Sequence, residues 1–197
     1  MLIFVSCTPQ KNYSKVLNIK DPSNRKIFHR VKKGDSLWSI SRHYNVSIKK
    51  IMNVNKISSP KNLKVSEKLI IPIGIDKNSN FLWPAQGEIV GFYSQKIDKV
   101  SNKGIDIRLG ENTDILASNT GKVIFSDNLG GWNKTIILQH PNDLYTVYAN
   151  LGKIVVSPNQ NIRKGQIIAN CGSPETKIVH FEIRKDYIAK NPLNYLN

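Results

Sequence analysis

The sequence predicts an α+β protein in two parts: a small βααβ unit, then a larger, mostly antiparallel all-β domain. Three observations carry this reading. Between residues 27 and 73, two short apolar runs flank two stretches whose apolar residues recur at helical spacing. From residue 81 onward, short β-type runs alternate with turn residues, and no helical period is sustained. The length of 197 residues suits a small module joined to a mid-sized domain.

The elements follow in order. Residues 1–26 open with Met1-Leu-Ile-Phe-Val-Ser-Cys7, an apolar run that ends in a small residue and then cysteine. This resembles the end of a bacterial lipoprotein signal and makes Cys7 the expected lipidation site. The run is short for a signal core and lacks a basic flank. Residues 8–26 are rich in Lys, Asn and Ser and read as a tether. A strand is expected over 27–31, stopped by Gly34. Asp35 or Ser36 can cap a helix that buries Leu37, Ile40 and Tyr44, and Asn45 ends it. Ser47 caps a second helix with Ile48, Ile51 and Met52 inward, and a strand over 68–72 closes the unit spanning 27–73. Residues 74–82 form a linker. In the domain 83–197, strands are expected over 88–93, 104–108, 114–117, 121–126, 134–139, 144–148, 153–156, 166–170 and 178–184, with turn residues between them.

Composition narrows the function. Twenty-nine Lys and Arg against 14 Asp and Glu give a net charge of +15. No block of five or six basic residues concentrates it, and the aromatics are not interleaved with arginine as a stacking platform, so nucleic acid is not an expected partner. The charge reads as a bias spread over the whole chain. No apolar run of about 18 residues could cross a membrane as a helix. The two cysteines make no metal or redox spacing, and Cys171 reads as a small core residue.

In a strand, residues two or four apart face the same way. Asn102 and Asp106 therefore share a sheet face, as do Ile178 and His180, with Asn150 at the end of a nearby strand. A mononuclear zinc hydrolase needs about three protein ligands, an open coordination position and a base. Of these five residues, only Asp106 and His180 are good zinc ligands. The layout of a metal site is there, without most of its chemistry.

Two family resemblances sharpen this. Val31-Lys-Lys-Gly-Asp-Ser-Leu-Trp-Ser-Ile40, Tyr44-Asn-Val-Ser-Ile48, Asn53-Val-Asn55 and Leu69-Ile-Ile-Pro72 resemble a LysM module, a binder of cell-wall glycans. The resemblance implies a shallow groove for N-acetylglucosamine chains at Gly34, Asp35, Ser36 and Leu37 on one side and at Asn55, Ile57 and Leu63 on the other. Core packing is the preferred role for Leu37, and capping or turn roles compete for Asp35 and Asn55. Trp83-Pro84, Gly104-Ile-Asp-Ile107, Tyr145-Thr-Val-Tyr-Ala149, Lys164-Gly-Gln-Ile-Ile168, His180-Phe-Glu-Ile-Arg184 and Asn191-Pro-Leu193 resemble the lysostaphin/LytM family of zinc peptidoglycan endopeptidases. In that family a His and an Asp four residues apart, and the second His of a His-x-His pair, hold zinc. Two further histidines assist. The resemblance places Asn102, Asp106 and His180 at the ligand positions and Asn150 and Ile178 at the helper positions. Three of the five are vacated, so no catalytic zinc and no cofactor is expected, and Asp106 and His180 remain as vestiges.

A LysM module ahead of a zinc-deficient LytM domain resembles the lipoproteins that activate cell-separation amidases. That implies a non-catalytic protein with peptidoglycan and a murein amidase as partners, held in the periplasm at the outer membrane if Cys7 carries lipid. The enzyme alternative is a weak zinc metalloendopeptidase that cuts peptidoglycan cross-links. A third reading is a purely structural wall tether.

Overall fold

The structure is a computed structural model that describes residues 17–18, 27–44, 46–73, 79–97, 100–110, 113–170 and 177–197. Cys7, Asn45, Cys171, most of the expected tether and the centre of the expected linker lie outside the described residues. Within the tether stretch, Leu17–Asn18 (β1) pairs with the sheet of the second domain, a local departure from the expectation of free chain.

The first module is the expected βααβ unit. β2 (Ile27–Arg30) pairs antiparallel with β3 (Lys68–Ile71), and between them in sequence come helices α1 (Leu37–Tyr44) and α2 (Ile48–Asn55), with α2 packed on β3 and α1 on α2. The start of α1 is set by a reciprocal cap. Ser39 N–H donates to Ser36 Oγ at 3.1 Å, and Ser36 N–H donates to Ser39 Oγ at 2.9 Å. Leu37, Ile40 and Tyr44 are buried along one stripe, as their spacing requires. Ser47 caps α2, and Lys56 ends it in the left-handed conformation at φ 54°.

The second domain is built from β4 (Gly87–Gly91), β5 (Lys96–Ile97), β6 (Val100–Ser101), β7 (Ile105–Leu109), β8 (Asp114–Leu116), β9 (Gly121–Leu129), β10 (Asn133–His140), β11 (Leu144–Ala149), β12 (Asn161–Ile162), β13 (Ile167–Asn170), β14 (Ile178–Lys185) and β15 (Ile188–Lys190). Among the described residues, nine strands form one sheet in the order β1-β4-β7-β14-β11-β10-β9-β12, with β15 on β14. Every pairing in it is antiparallel. Residues 153–156 depart from the expected strand: only Ile154 bridges, to Ala169.

β14 lies near the middle of this sheet and shows how its two faces differ. Val179, Phe181 and Ile183 are fully buried in the main core, beside Ile105, Ile107 and Tyr148. The alternate residues Ile178, His180 and Glu182 face the other way, where Trp132, Val147 and Ala149 form a separate small cluster. The candidate site lies on this second face. The main core also runs without a break into the first module, through Leu37, Ile40, Tyr44 and Phe92.

Candidate functional site

Strand register assembles the site. Gly91 is opposite Asp106, Asp106 opposite His180, and His180 opposite Ala149, so four adjacent strands contribute one row. Gly91 is required there: a Cβ would fall 1.9 Å from Asp106 Oδ2. Gly104 is equally constrained, since its Cβ would meet the Phe181 carbonyl oxygen at 2.1 Å. Asn102 precedes β7 and folds back over the row. Asn150 leaves β11 in the left-handed conformation at φ 60°, which asparagine tolerates better than most residues.

The chemistry of the row is that of a closed hydrogen-bond network. His180 Nδ1 lies 2.6 Å from Asp106 Oδ1, and His180 Nε2 lies 3.3 Å from Glu182 Oε1. Both ring nitrogens face carboxylates, so both donate, and the ring is an imidazolium. Burial alone would lower the His180 pKa. The hydrogen bonds and negative charges of Asp106 and Glu182 together outweigh that and hold it up to about 10. Arg184 Nε, 3.2 Å from Glu182 Oε2, extends the chain of alternating charges. Trp132 packs perpendicular to the His180 ring, with ring centroids 4.8 Å apart at 89°.

The three vacated positions are tied into the fold. Asn102 Oδ1 accepts the Gly104 N–H at 3.0 Å, which turns its Nδ2 toward Asp106 Oδ2 at 2.8 Å. Asn150 Nδ2 donates to the Ile178 carbonyl, and its Oδ1 accepts from Asn133 Nδ2 at 3.0 Å. Ile178 is buried and apolar.

This donor set does not fit zinc. A cation between Asp106 and His180 would meet the N–H₂ of Asn102, a hydrogen-bond donor, because the amide oxygen is held by Gly104. It would also have to displace the proton that His180 shares with Asp106. Neither Asn150 nor Ile178 carries a base. His140 offers no replacement. It is buried at the end of β10, donates from Nδ1 to the Thr120 carbonyl at 2.8 Å and accepts the Thr146 hydroxyl at Nε2, and its burial lowers its pKa.

All five sequence-predicted positions, Asn102, Asp106, Asn150, Ile178 and His180, are therefore brought together on and beside β7, β11 and β14. Sequence reasoning missed Glu182, Arg184, Trp132, Asn133 and Gly91. Of these, Glu182 carried a readable signal: two residues after His180 on a strand, it had to share the same face.

The expected glycan residues divide. Gly34, with φ 91°, and Ser36 are exposed, and Asp35 is half-buried. Ile57 and Leu63 are half-buried against the core. Two others are corrected. Leu37 is 1% exposed and belongs to the core, so it cannot touch a ligand. The Asn55 amide is fully engaged: Nδ2 donates to the Ile51 and Ile70 carbonyls at 2.8 and 2.7 Å, and Oδ1 accepts the Ile70 N–H at 2.7 Å. It fastens α2 to β3. Trp38, the neighbour of Leu37, is 63% exposed beside Arg42.

Comparison with known proteins agrees with this architecture. Residues 29–72 match the LysM domain and residues 100–192 match Peptidase family M23. The uncharacterized lipoprotein YgeR of Escherichia coli K12 is 32% identical over 203 residues, covering 84% of this chain and 79% of that protein. The murein hydrolase activator NlpD of Escherichia coli K12 is 35% identical over 121 residues, which are 60% of this chain and 31% of NlpD. The chain thus spans most of YgeR but under a third of NlpD. Among solved structures, Helicobacter pylori Csd3 superposes with a TM-score of 0.55 over 82% of this chain and 58% of its own, at 20% identity, a likeness of fold alone.

Proposed function

The chain belongs to peptidase family M23, as a LysM-bearing relative of the lipoprotein YgeR, and from that membership we propose a non-catalytic, peptidoglycan-bound activator of a cell-wall amidase. The observation that carries this reading is the orientation of Asn102. Its amide presents N–H₂ to Asp106 while Gly104 holds its oxygen, which supports a site given over to internal hydrogen bonds. The name of NlpD, a murein hydrolase activator, supports the same role.

In this reading the LysM module holds the glycan and the vacated cleft face binds an N-acetylmuramoyl-L-alanine amidase during cell separation. Binding one amidase conformation more tightly than the other would shift that enzyme toward its active state. Lipidation at Cys7 and an outer-membrane, periplasmic location are part of the proposal. The lipoprotein names of its relatives support them. No helix among the described residues is long and apolar enough to cross a membrane.

The test is dye release from labelled peptidoglycan. A cognate amidase should cleave at least about tenfold faster with this protein present, a shift of about 1.4 kcal/mol in its conformational balance. The protein alone, supplied with zinc, should release nothing. Zinc-dependent release by the protein alone would establish the metalloendopeptidase instead, and no effect on the amidase would leave a wall tether.

A further inference from the structure

We propose that glycan occupancy of the LysM module is transmitted to the vacated cleft through a continuous series of packed and hydrogen-bonded groups across the junction of the two parts; this deepens the activator reading and rests on it.

The series starts at the glycan-facing turn. Asp35 Oδ2 accepts the Lys32 N–H and His29 Nε2–H, both at 2.8 Å, so the turn at 32–35 is fastened to β2. With Nε2 donating, His29 Nδ1 accepts from the Tyr44 hydroxyl at 3.0 Å. Tyr44 is fully buried at the end of α1 and is the crossing point. Its ring meets Phe92 at 5.0 Å, and its carbonyl accepts Asn191 Nδ2 at 3.3 Å. His43 packs on the same Phe92 ring at 4.2 Å.

Phe92 then passes the contact to the cleft. Its N–H donates to Gln95 Oε1 at 2.9 Å, the Gln95 carbonyl accepts the Asn102 N–H at 2.8 Å, and the Ser94 N–H donates to the Asn102 carbonyl at 2.8 Å. Asn102 leads on to Asp106 and His180. The neighbour of Phe92 also touches the row, since Gly91 pairs with Asp106 and a Cβ there would fall 1.9 Å from Asp106 Oδ2.

Two properties make this series a conductor and not a list of neighbours. Tyr44, Phe92 and Asn102 are 0%, 1% and 3% exposed, so the central members of the series pack against protein and not against solvent. Close-packed interiors also switch between discrete arrangements instead of deforming smoothly. A glycan that draws the turn at 34–36 toward itself acts on Asp35 and therefore on every later member.

The experiment is amide hydrogen exchange on the full chain, with and without tetrameric N-acetylglucosamine, alongside calorimetric binding of the same sugar. The expected result is binding together with slowing of about threefold or more at Ser94, Asn102 and Gly104, far from the turn. Phe92→Ala should keep the sugar affinity within about twofold and lose the distant protection. If Phe92→Ala fails to fold, Gln95→Ala removes the Phe92 N–H acceptor at a half-buried position and should show the same loss. Protection confined to residues near 34–36 and 57–63 overturns the proposal, as does the absence of sugar binding. Distant protection without amidase stimulation would instead sink the activator reading and leave the coupling standing.

Discussion

His180 shows how a nearly buried imidazolium can be held in place by carboxylates on both sides. A proton shared with Asp106 on one side and the Glu182 carboxylate on the other do the holding. Its folded pKa of about 10 lies above the ordinary 6.5, so its stabilisation is whole below pH 6.5 and is lost as pH rises toward 10. The midpoint of thermal unfolding should fall across that window in the wild type. In His180→Gln, the part of the fall due to this group should vanish. Asp106→Asn removes one partner of a buried pair and should destabilise the fold by about 3 kcal/mol in urea titration. At this scale the sequence was informative about which residues meet and silent about how. The spacing of Asn102 and Asp106 predicted a shared face. The direction of the Asn102 amide depends on the Gly104 N–H, a backbone group that no residue identity reveals. Leu37 sits in the core, the role preferred for it, and the Asn55 amide serves the α2–β3 join, a structural role that had competed with glycan contact.

The elements were read well where a pattern was long enough to repeat. Both helices, their serine caps and the long strands β9, β10, β11 and β14 lie close to where the apolar spacing put them. The pairs β5–β6 and β12–β9 were missed because two residues carry no period; tertiary pairing alone makes them strands. Residues 153–156 failed in the other direction, apolar enough for a strand but with only one bridge to make. Asn55 is the element-scale hinge of the first module, replacing ladder contacts at Ile70 with side-chain ones. Asn55→Ala should leave the Ile70 N–H and carbonyl without these partners and should lower the module's stability by about 2 kcal/mol, read by denaturant titration. Glycan affinity should change little, because the amide is turned into the fold.

For the molecule as a whole, the sequence pointed to two parts separated by a linker, and the structure joins them through one continuous core. That junction was hidden because its partners, Tyr44, Phe92 and Asn191, are far apart in sequence and each has an ordinary apolar or capping role nearby. His43 fits the same junction as a neutral ring. Burial, assisted by the neighbouring His29, lowers its pKa to about 4. Its contribution to the junction is therefore whole above pH 6.5 and is lost as pH falls toward 4. Wild-type protein should unfold in a single calorimetric transition. Phe92→Ala, which removes about 3–5 kcal/mol of packing from the junction, should separate it into two.

The edge-on meeting of Trp132 with His180 has an optical consequence. A protonated imidazole against an indole quenches its emission, so Trp132 should glow dimly in the free protein. A partner that pries the two rings apart should brighten it, and a version whose other two tryptophans are replaced by phenylalanine would report cleft engagement in real time, without any label.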